Sequence, residues 1–434
     1  MRFEEDYFQV GLLVMSSSRF FLKPGALAGN ILKDGARRES YNQLCGVSRR
    51  EFLWRSFSAG LAVAVGNGLG AEHLRAQSGR TRYFLAHGRW PPNLETPREF
   101  LDTFLTPNDV FFVRCHFNPP PPLIPGSPGW KLEIAGMVEK ELSLTLADLQ
   151  KMRKVSLPAV LQCAGNGRKF HQPPVGGVQW GAGAVGHARW AGVRLRDVLE
   201  RARRLRPRAR HIQFEGADLP PLPATPAYIR SLPLEKALDG LTLLAYEMNN
   251  EPLPHRHGGP LRVVVPGWAG DHWLKWVRRI TVRETEAEGF YMQTAYRIPR
   301  TPVAPSTAVR PEEMVPVTEL NVKSLITRPL PGSILTARNI EVAGVAFTGP
   351  GKVVKVELSV DGGRTWAEGG LREQVSPGSW QQWRWRWKPR EAGKYRVLCR
   401  ATDSNGEVQP ADGIWNPSGY LWNAIDEIDC EVQI

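Results

Sequence analysis

Trp380-Gln381-Gln382-Trp383-Arg384-Trp385-Arg386-Trp387 alternates aromatic and polar side chains with a period of two. In an extended chain successive side chains point to opposite faces, so the tryptophans fall on one face and the arginines on the other. That is the pattern of a half-buried strand, and it outweighs a reading of the Trp/Arg mixture as a stacking surface for nucleic acid. The same period appears in Val353-Val354-Lys355-Val356-Glu357-Leu358-Ser359-Val360, which runs into Asp361-Gly362-Gly363, a hairpin signal. Tyr395 to Thr402 reads as a further strand. Short strands separated by turns predict an immunoglobulin-like β-sandwich over residues 305–434.

Upstream, Pro299-Arg300-Thr301-Pro302-Val303-Ala304-Pro305 is a proline-spaced linker that can continue neither a helix nor a central strand. Residues 77–304 mix short apolar runs with helix-like stretches, Ser143 to Met152 and Leu195 to Arg204. This predicts an α+β domain. Residues 1–76 form a separate unit. Ser48-Arg49-Arg50-Glu51-Phe52-Leu53 precedes the apolar stretch Ala59 to Gly66 and small residues near Ala71 and Ala76, the layout of a twin-arginine export signal with a long N-terminal extension. A periplasmic protein, exported after folding, is the expectation.

Composition narrows the field. With 434 residues, 42% hydrophobic and 23% charged, the chain can bury cores without staples and is not disordered. No apolar run reaches the ~20 residues that span a bilayer. Five cysteines, none as CxxC or CxxCH, give no zinc-ribbon or covalent-haem signal. The net charge is +13, of which +10 remains once the ten Lys/Arg and seven Asp/Glu of residues 1–76 are removed. Such a surplus suits nucleic acid, an acidic partner or an anionic substrate. The mature region has no concentrated Lys/Arg run, which argues against nucleic acid.

Two segments of the first domain carry chemistry-bearing residues. Phe111-Phe112-Val113-Arg114-Cys115-His116 reads as a strand with Arg114 and His116 on one face. Leu161-Gln162-Cys163-Ala164-Gly165-Asn166-Gly167-Arg168 takes a cysteine into a small-residue turn, with an arginine five positions on. Singly, these are a polar strand face and a packed thiol. Together with Trp180, Ala188-Arg189-Trp190-Ala191-Gly192-Val193-Arg194-Leu195, Phe214-Glu215-Gly216 with Asp218, Leu244 to Asn249, His257-Gly258 followed by Pro260 to Gly267, Lys275-Trp276 and Tyr296, the mature chain resembles the sulfite oxidase family of molybdenum enzymes.

The resemblance implies a sulfite-oxidase-type molybdopterin domain followed by an immunoglobulin-like dimerisation domain, with one pterin dithiolene per molybdenum. It implies that Cys163 is the molybdenum ligand, a role that suits a soft thiolate. Phe112, Val113, Arg114, Cys115, His116, Asp218, His257, Arg262, Trp273, Leu274 and Lys275 would hold the cofactor, with Arg and Lys on its phosphate. Arg114, Arg168, Trp180 and Tyr296 would form the pocket for sulfite or a related sulfur oxyanion. The family's reaction is oxidation of sulfite to sulfate. No haem-binding segment occurs in the sequence, so the reading is of a bacterial sulfite dehydrogenase type that passes electrons to an external cytochrome c, as a homodimer or heterodimer. A sulfane or thiosulfate-pathway dehydrogenase, a nitrate or sulfoxide reductase, and a basic binding module remain alternatives. The sequence departs from the family pattern at Cys115 and Gly167, and no Lys or Arg follows Arg400 in the tail, where some relatives supply an arginine. Pairing of Cys399 with Cys430 stays open.

Overall fold

The computed structural model describes residues 84–88, 90–123, 129–336 and 338–433. The twin-arginine segment and Cys45 lie outside these residues. Among the described residues no helix is long and apolar enough to cross a membrane.

The chain from Thr81 onward forms one compact unit. Its first half carries two five-stranded sheets. In one, Val155–Gln162, Val185–Arg194 and Leu243–Met248 are consecutive antiparallel neighbours, and Leu243–Met248 also pairs with Arg262–Val264 and Glu251–Pro252. In the other, Leu142–Thr145, Lys131–Gly136, Val277–Arg283, His211–Gly216 and Ile229–Pro233 lie side by side, with one parallel pair, Lys131–Gly136 against Val277–Arg283. Val185–Arg194 is buried along almost its whole length, as a central strand covered on both faces must be.

The helices are shorter than the apolar pattern suggests. Leu146–Gln150 starts at a capping box in which the Thr145 hydroxyl accepts from the Asp148 N–H and the Asp148 carboxylate accepts from the Thr145 N–H. The three residues before it, read as helix from sequence, are strand. Leu195–Glu200 ends before Arg203, whose φ of 65° cannot continue a right-handed helix. The Phe111 to His116 segment is extended, but only Val113–Arg114 pairs, with Asn93–Glu95.

The second half is a two-sheet β-sandwich. One sheet orders Lys323–Arg328, Ile340–Phe347, Gln381–Trp387 and Gly370–Leu371. The other orders Ser333–Leu335, Asp426–Val432, Gly393–Asp403, Val353–Ser359 and Ala367–Glu368. The Trp/Arg alternation behaves as period two requires: Trp383 and Trp387 are buried, Trp385 half-buried, and Arg384 and Arg386 exposed. The chain is therefore an α+β protein with a molybdopterin-domain-like sheet pair followed by a sandwich.

The register settles the cysteine question. Cys399 faces Asp426 and Cys430 faces Tyr395, which places the two cysteines about four residues, roughly 13 Å, apart along the ladder. A disulfide needs Cα atoms within about 7 Å. Both are buried free thiols, and the Cys399 thiol donates to Ser324 Oγ at 3.3 Å.

The two halves share a core. Val160, Ala164, Val185, Ala269 and Tyr296 of the first pack with Leu325, Val345, Phe347 and Trp380 of the second. Polar ties reinforce it: Arg98 Nη1 pairs with Asp426 at 2.6 Å, and Trp380 Nε1 donates to Phe104 O at 2.9 Å. Within the sandwich, Gly344 lies where a Cβ would come 2.1 Å from Leu325 O and 2.2 Å from the Trp383 ring. Gly344→Ala should therefore cost about 1–3 kcal/mol through overpacking, read as a fall of a few degrees in the thermal midpoint; an unchanged midpoint would show that this face is loose.

Candidate active site

One cavity gathers the segments singled out in the sequence. Its lining includes Phe112, Val113, Arg114, Cys115 and His116 from the extended segment, and Cys163 from the end of Val155–Gln162. Asp218, His257, Arg262, Trp273, Leu274, Lys275 and Tyr296 complete the expected set. Arg168 and Trp180 do not line it. Trp180 is fully buried, with an unpartnered Nε1, and packs edge-on to His87 at 4.8 Å. Arg168 spends Nη1 on Val178 O at 3.0 Å and Nε on Ser418 O at 3.3 Å, and its guanidinium sits over the Tyr420 ring at 5.1 Å.

The Cys163 loop is fixed by its backbone. Cys163 N–H donates to Ala184 O at 2.9 Å, Asn166 N–H donates back to Cys163 O at 2.9 Å, and Ala184 N–H donates to Asn166 Oδ1. Gly165 is required there, since a Cβ would lie 2.6 Å from the Arg168 guanidinium. Gly167, at φ 88°, makes room for Trp422, whose ring would be 2.6 Å from an added Cβ. The departure from family pattern at 167 thus accommodates the C-terminal tail. Burial pushes the Cys163 thiol up, and the Arg114 and Arg168 guanidinium groups oppose that shift.

Tyr296 is held on several sides. It adopts φ 58°, its hydroxyl is 2.6 Å from His116 Nε2, and its ring stacks on Tyr420 at 5.1 Å and 11°. His116 stacks on Tyr228 at 4.1 Å. Burial, with Arg114, Lys275 and Arg230 nearby, holds His116 well below the usual imidazole range, so it is neutral. At the other end Lys275 Nζ donates to Cys115 Sγ at 2.9 Å and lies 4.1 Å from the Trp276 ring centre. Burial lowers Lys275, Cys115 partly offsetting it, and raises Asp218, with Lys275 opposing. His257 donates from Nε2 to Asn108 O at 2.9 Å and is pushed down to about 3 by burial.

Sequence reasoning missed Tyr228, Arg256, Gly270 and Asp271 on the lining, and Arg230 and His272 behind it. The available signal was the charged pair Asp271-His272 inside the otherwise apolar run from Leu261 to Trp276.

The residues fit a molybdopterin. Arg262 Nε and Asp271 Oδ1 are buried and unpartnered, both on lining residues, so the wall is incomplete without a polar occupant. Arg114, Arg256, Arg262 and Lys275 supply cations for a phosphate. Among the described residues no three His, Cys, Asp or Glu side chains converge on one point. A lone Cys163 suits a metal that arrives with its own sulfur ligands.

The family described as "Oxidoreductase molybdopterin binding domain" matches residues 119–291, and the "Mo-co oxidoreductase dimerisation domain" matches 314–432. Mitochondrial sulfite oxidase of Rattus norvegicus is 38% identical over 357 residues, covering 79% of this chain and 64% of that protein. Sulfite oxidase of Gallus gallus is 39% identical over 351 residues, covering 77% and 75%. The chain belongs to the sulfite oxidase family of molybdopterin oxidoreductases. It spans just under two thirds of the rat relative's length. The crystal structure of the sulfane dehydrogenase SoxCD from Paracoccus pantotrophus superposes with a TM-score of 0.70 at 27% identity, covering 87% of this chain and 97% of that one.

Within a sulfite-oxidase-family cavity, Arg262 is the cation with no carboxylate partner: His257 O and Trp273 O accept from it, at 2.9 and 3.0 Å. Arg262→Met should reduce the pterin released from purified protein several-fold while the fold, read by circular dichroism, persists. Full pterin content would remove Arg262 from the cofactor site.

Proposed function

We propose that the chain is a molybdenum-dependent sulfur oxidoreductase that oxidises sulfite to sulfate and passes the electrons to an external cytochrome c. The observation that carries this is the placement of one buried thiol, Cys163, in a cavity with Arg114 and with Tyr296 held by neutral His116. Molybdopterin, held by the lining residues through Cys163, supplies two-electron chemistry at oxygen when bound. The chain's own residues bind and orient. Arg114 donates to Asn93 Oδ1 at 3.2 Å and to Cys115 O, which aims its remaining guanidinium edge while leaving donors for an oxyanion. Tyr296 adds a neutral hydroxyl whose proton is shared with His116. Burial keeps that phenol far above its ordinary range, so it stays protonated at neutral pH. Arg168 contributes charge from behind Tyr420 and no direct contact.

Conversion of sulfite and water to sulfate releases two protons and two electrons. A cytochrome accepts the electrons singly, and the basic surplus of the mature chain suits an acidic carrier. The twin-arginine layout supports a periplasmic location, and the dimerisation-domain match supports a dimer. The likeness to a sulfane dehydrogenase favours a second reading, in which the sulfur is borne on a carrier rather than free.

Steady-state assays with sulfite, thiosulfate, nitrate and methionine sulfoxide, each with cytochrome c and with a dye, decide the matter. Sulfite-dependent cytochrome c reduction is expected, and its absence with turnover of another substrate would overturn the reading. Cys163→Ser should abolish turnover and empty the protein of molybdenum by elemental analysis, with the fold intact. Arg114→Met should raise KM for sulfite by roughly tenfold or more, since a charge-assisted contact to the anion is lost; an unchanged KM would place the anion elsewhere.

A further inference from the structure

A charge cluster at the Tyr296 end of the cavity has no part in the proposed reaction so far. Arg230, Asp271 and His272 are each no more than 4% exposed. Arg230 Nη2 donates to Asp271 Oδ2 at 2.5 Å and to His272 Nε2 at 3.0 Å, and Arg230 Nη1 donates to Tyr291 O. His272 Nδ1 lies 3.2 Å from the same Asp271 Oδ2. An imidazole that accepts at Nε2 carries its proton on Nδ1, so neutral His272 completes the ring of contacts. All of this converges on one carboxylate oxygen. The other, Oδ1, is buried, has no partner, and belongs to a residue that lines the cavity.

A buried carboxylate oxygen facing no donor is costly, so what fills the cavity beside it must bring an O–H or N–H. The field of Asp271 marks which end of the cavity this is. Burial raises the Cys163 thiol and the phenols of Tyr228, Tyr296 and Tyr420, and the Asp271 charge adds to the shift in all four. The second lining carboxylate, Asp218, is instead coupled to Lys275 and Arg278.

We propose that Asp271 is a specificity-determining residue whose free oxygen accepts a hydrogen bond from a protonated oxyanion, so that the site takes a donor-bearing anion and disfavours a fully deprotonated one. This rests on the reading that a sulfur oxyanion occupies the cavity. Hydrogensulfite carries the required proton, whereas sulfate at neutral pH has none. The oxygen that accepts from the substrate therefore repels the product, and the same contact that confers selectivity drives release. Arg230 and His272 are positioning residues in this scheme: they hold Oδ2, leaving Oδ1 as the only acceptor offered to the anion.

The test compares sulfate with inorganic phosphate, which is of similar size and carries an O–H at neutral pH. Affinities for the cofactor-loaded protein are measured by titration calorimetry. The wild type should bind phosphate roughly tenfold or more tightly than sulfate, because a site built around an acceptor rejects an anion lacking the donor. Asp271→Asn, whose amide can donate, should shrink or reverse that ratio by a similar factor. Equal affinities in the wild type, binding of neither anion, or a ratio unchanged in Asp271→Asn would overturn the assignment. Equal affinities would also result if an N–H of the cofactor capped Oδ1. Should Asp271→Asn not fold, the wild-type ratio alone decides. Loss of sulfite turnover with the phosphate preference intact would defeat the proposed substrate and leave Asp271 assigned; turnover without the preference would do the reverse.

Discussion

Arg262 is a guanidinium without a carboxylate. It is 3% exposed, its two terminal nitrogens donate to backbone carbonyls, its Nε donates to nothing, and burial pushes it down to about 9. Two indole faces, Trp190 at 4.9 Å and Trp273 at 5.8 Å, offset part of the cost. Lys275 has no carboxylate within ion-pair distance either; it leans on a thiol, an indole and a carbonyl. A protein does not bury such cations stably for their own sake, because desolvation exceeds what carbonyls and rings return. The arrangement is economical only when an anion fills the cavity. The fold around it follows from that need: the two sheets of the first half supply walls rigid enough to hold unpaired charge.

The sandwich contributes more than a second domain. Its returning tail passes over the Cys163 loop, where Leu421 N–H donates to Ala164 O at 2.8 Å and Tyr420 slots between Arg168 and Tyr296. Lys323, buried and lowered to about 8 by desolvation, donates to Trp422 O at 2.9 Å and pins the segment from below. Asn416 brackets Tyr420 with both ends of its amide. Where a tail arginine would add charge, this chain places a phenol ring under a guanidinium that already has carbonyl partners. The positive field at the Cys163 end therefore comes chiefly from Arg114, with Arg168 screened by an aromatic layer.

What could be read from the sequence follows the range of the signal. The Trp/Arg alternation gave the sandwich strand because period two is local and survives any tertiary context. The helices came out too long because apolar periodicity does not see the Thr145 cap or the left-handed turn at Arg203. The cavity lining was legible only through the family resemblance, since Arg114, Cys163, Asp218, Arg262 and Tyr296 lie on separate strands and loops. Arg230 and Asp271, 41 residues apart, escaped altogether. Neither sits in a recognisable motif, and their pairing exists only after Ile229–Pro233 and the loop before Lys275 have been brought together. Trp180 shows the converse: resemblance placed it at the anion, whereas its ring is fully buried beside His87 and outside the lining.

The cavity is thus polarised along its length. One end has Lys275, Asp218 and His257, where a buried lysine and an acid raised by desolvation can share protons and polar edges with a large cofactor. The other end has Cys163, Tyr296 and Asp271, where the acid is committed on one oxygen to Arg230 and open on the other. A carboxylate beside an oxyanion site is a liability unless the anion carries a proton, and a thiol ligand beside it is held up by the same negative field. Both costs are reduced by Arg114, which lines the cavity and opposes the shift at Cys163 and Tyr296 alike. Arg114 therefore has two tasks that substitution would separate poorly: it attracts the anion, and it makes the Asp271 charge tolerable next to the thiol.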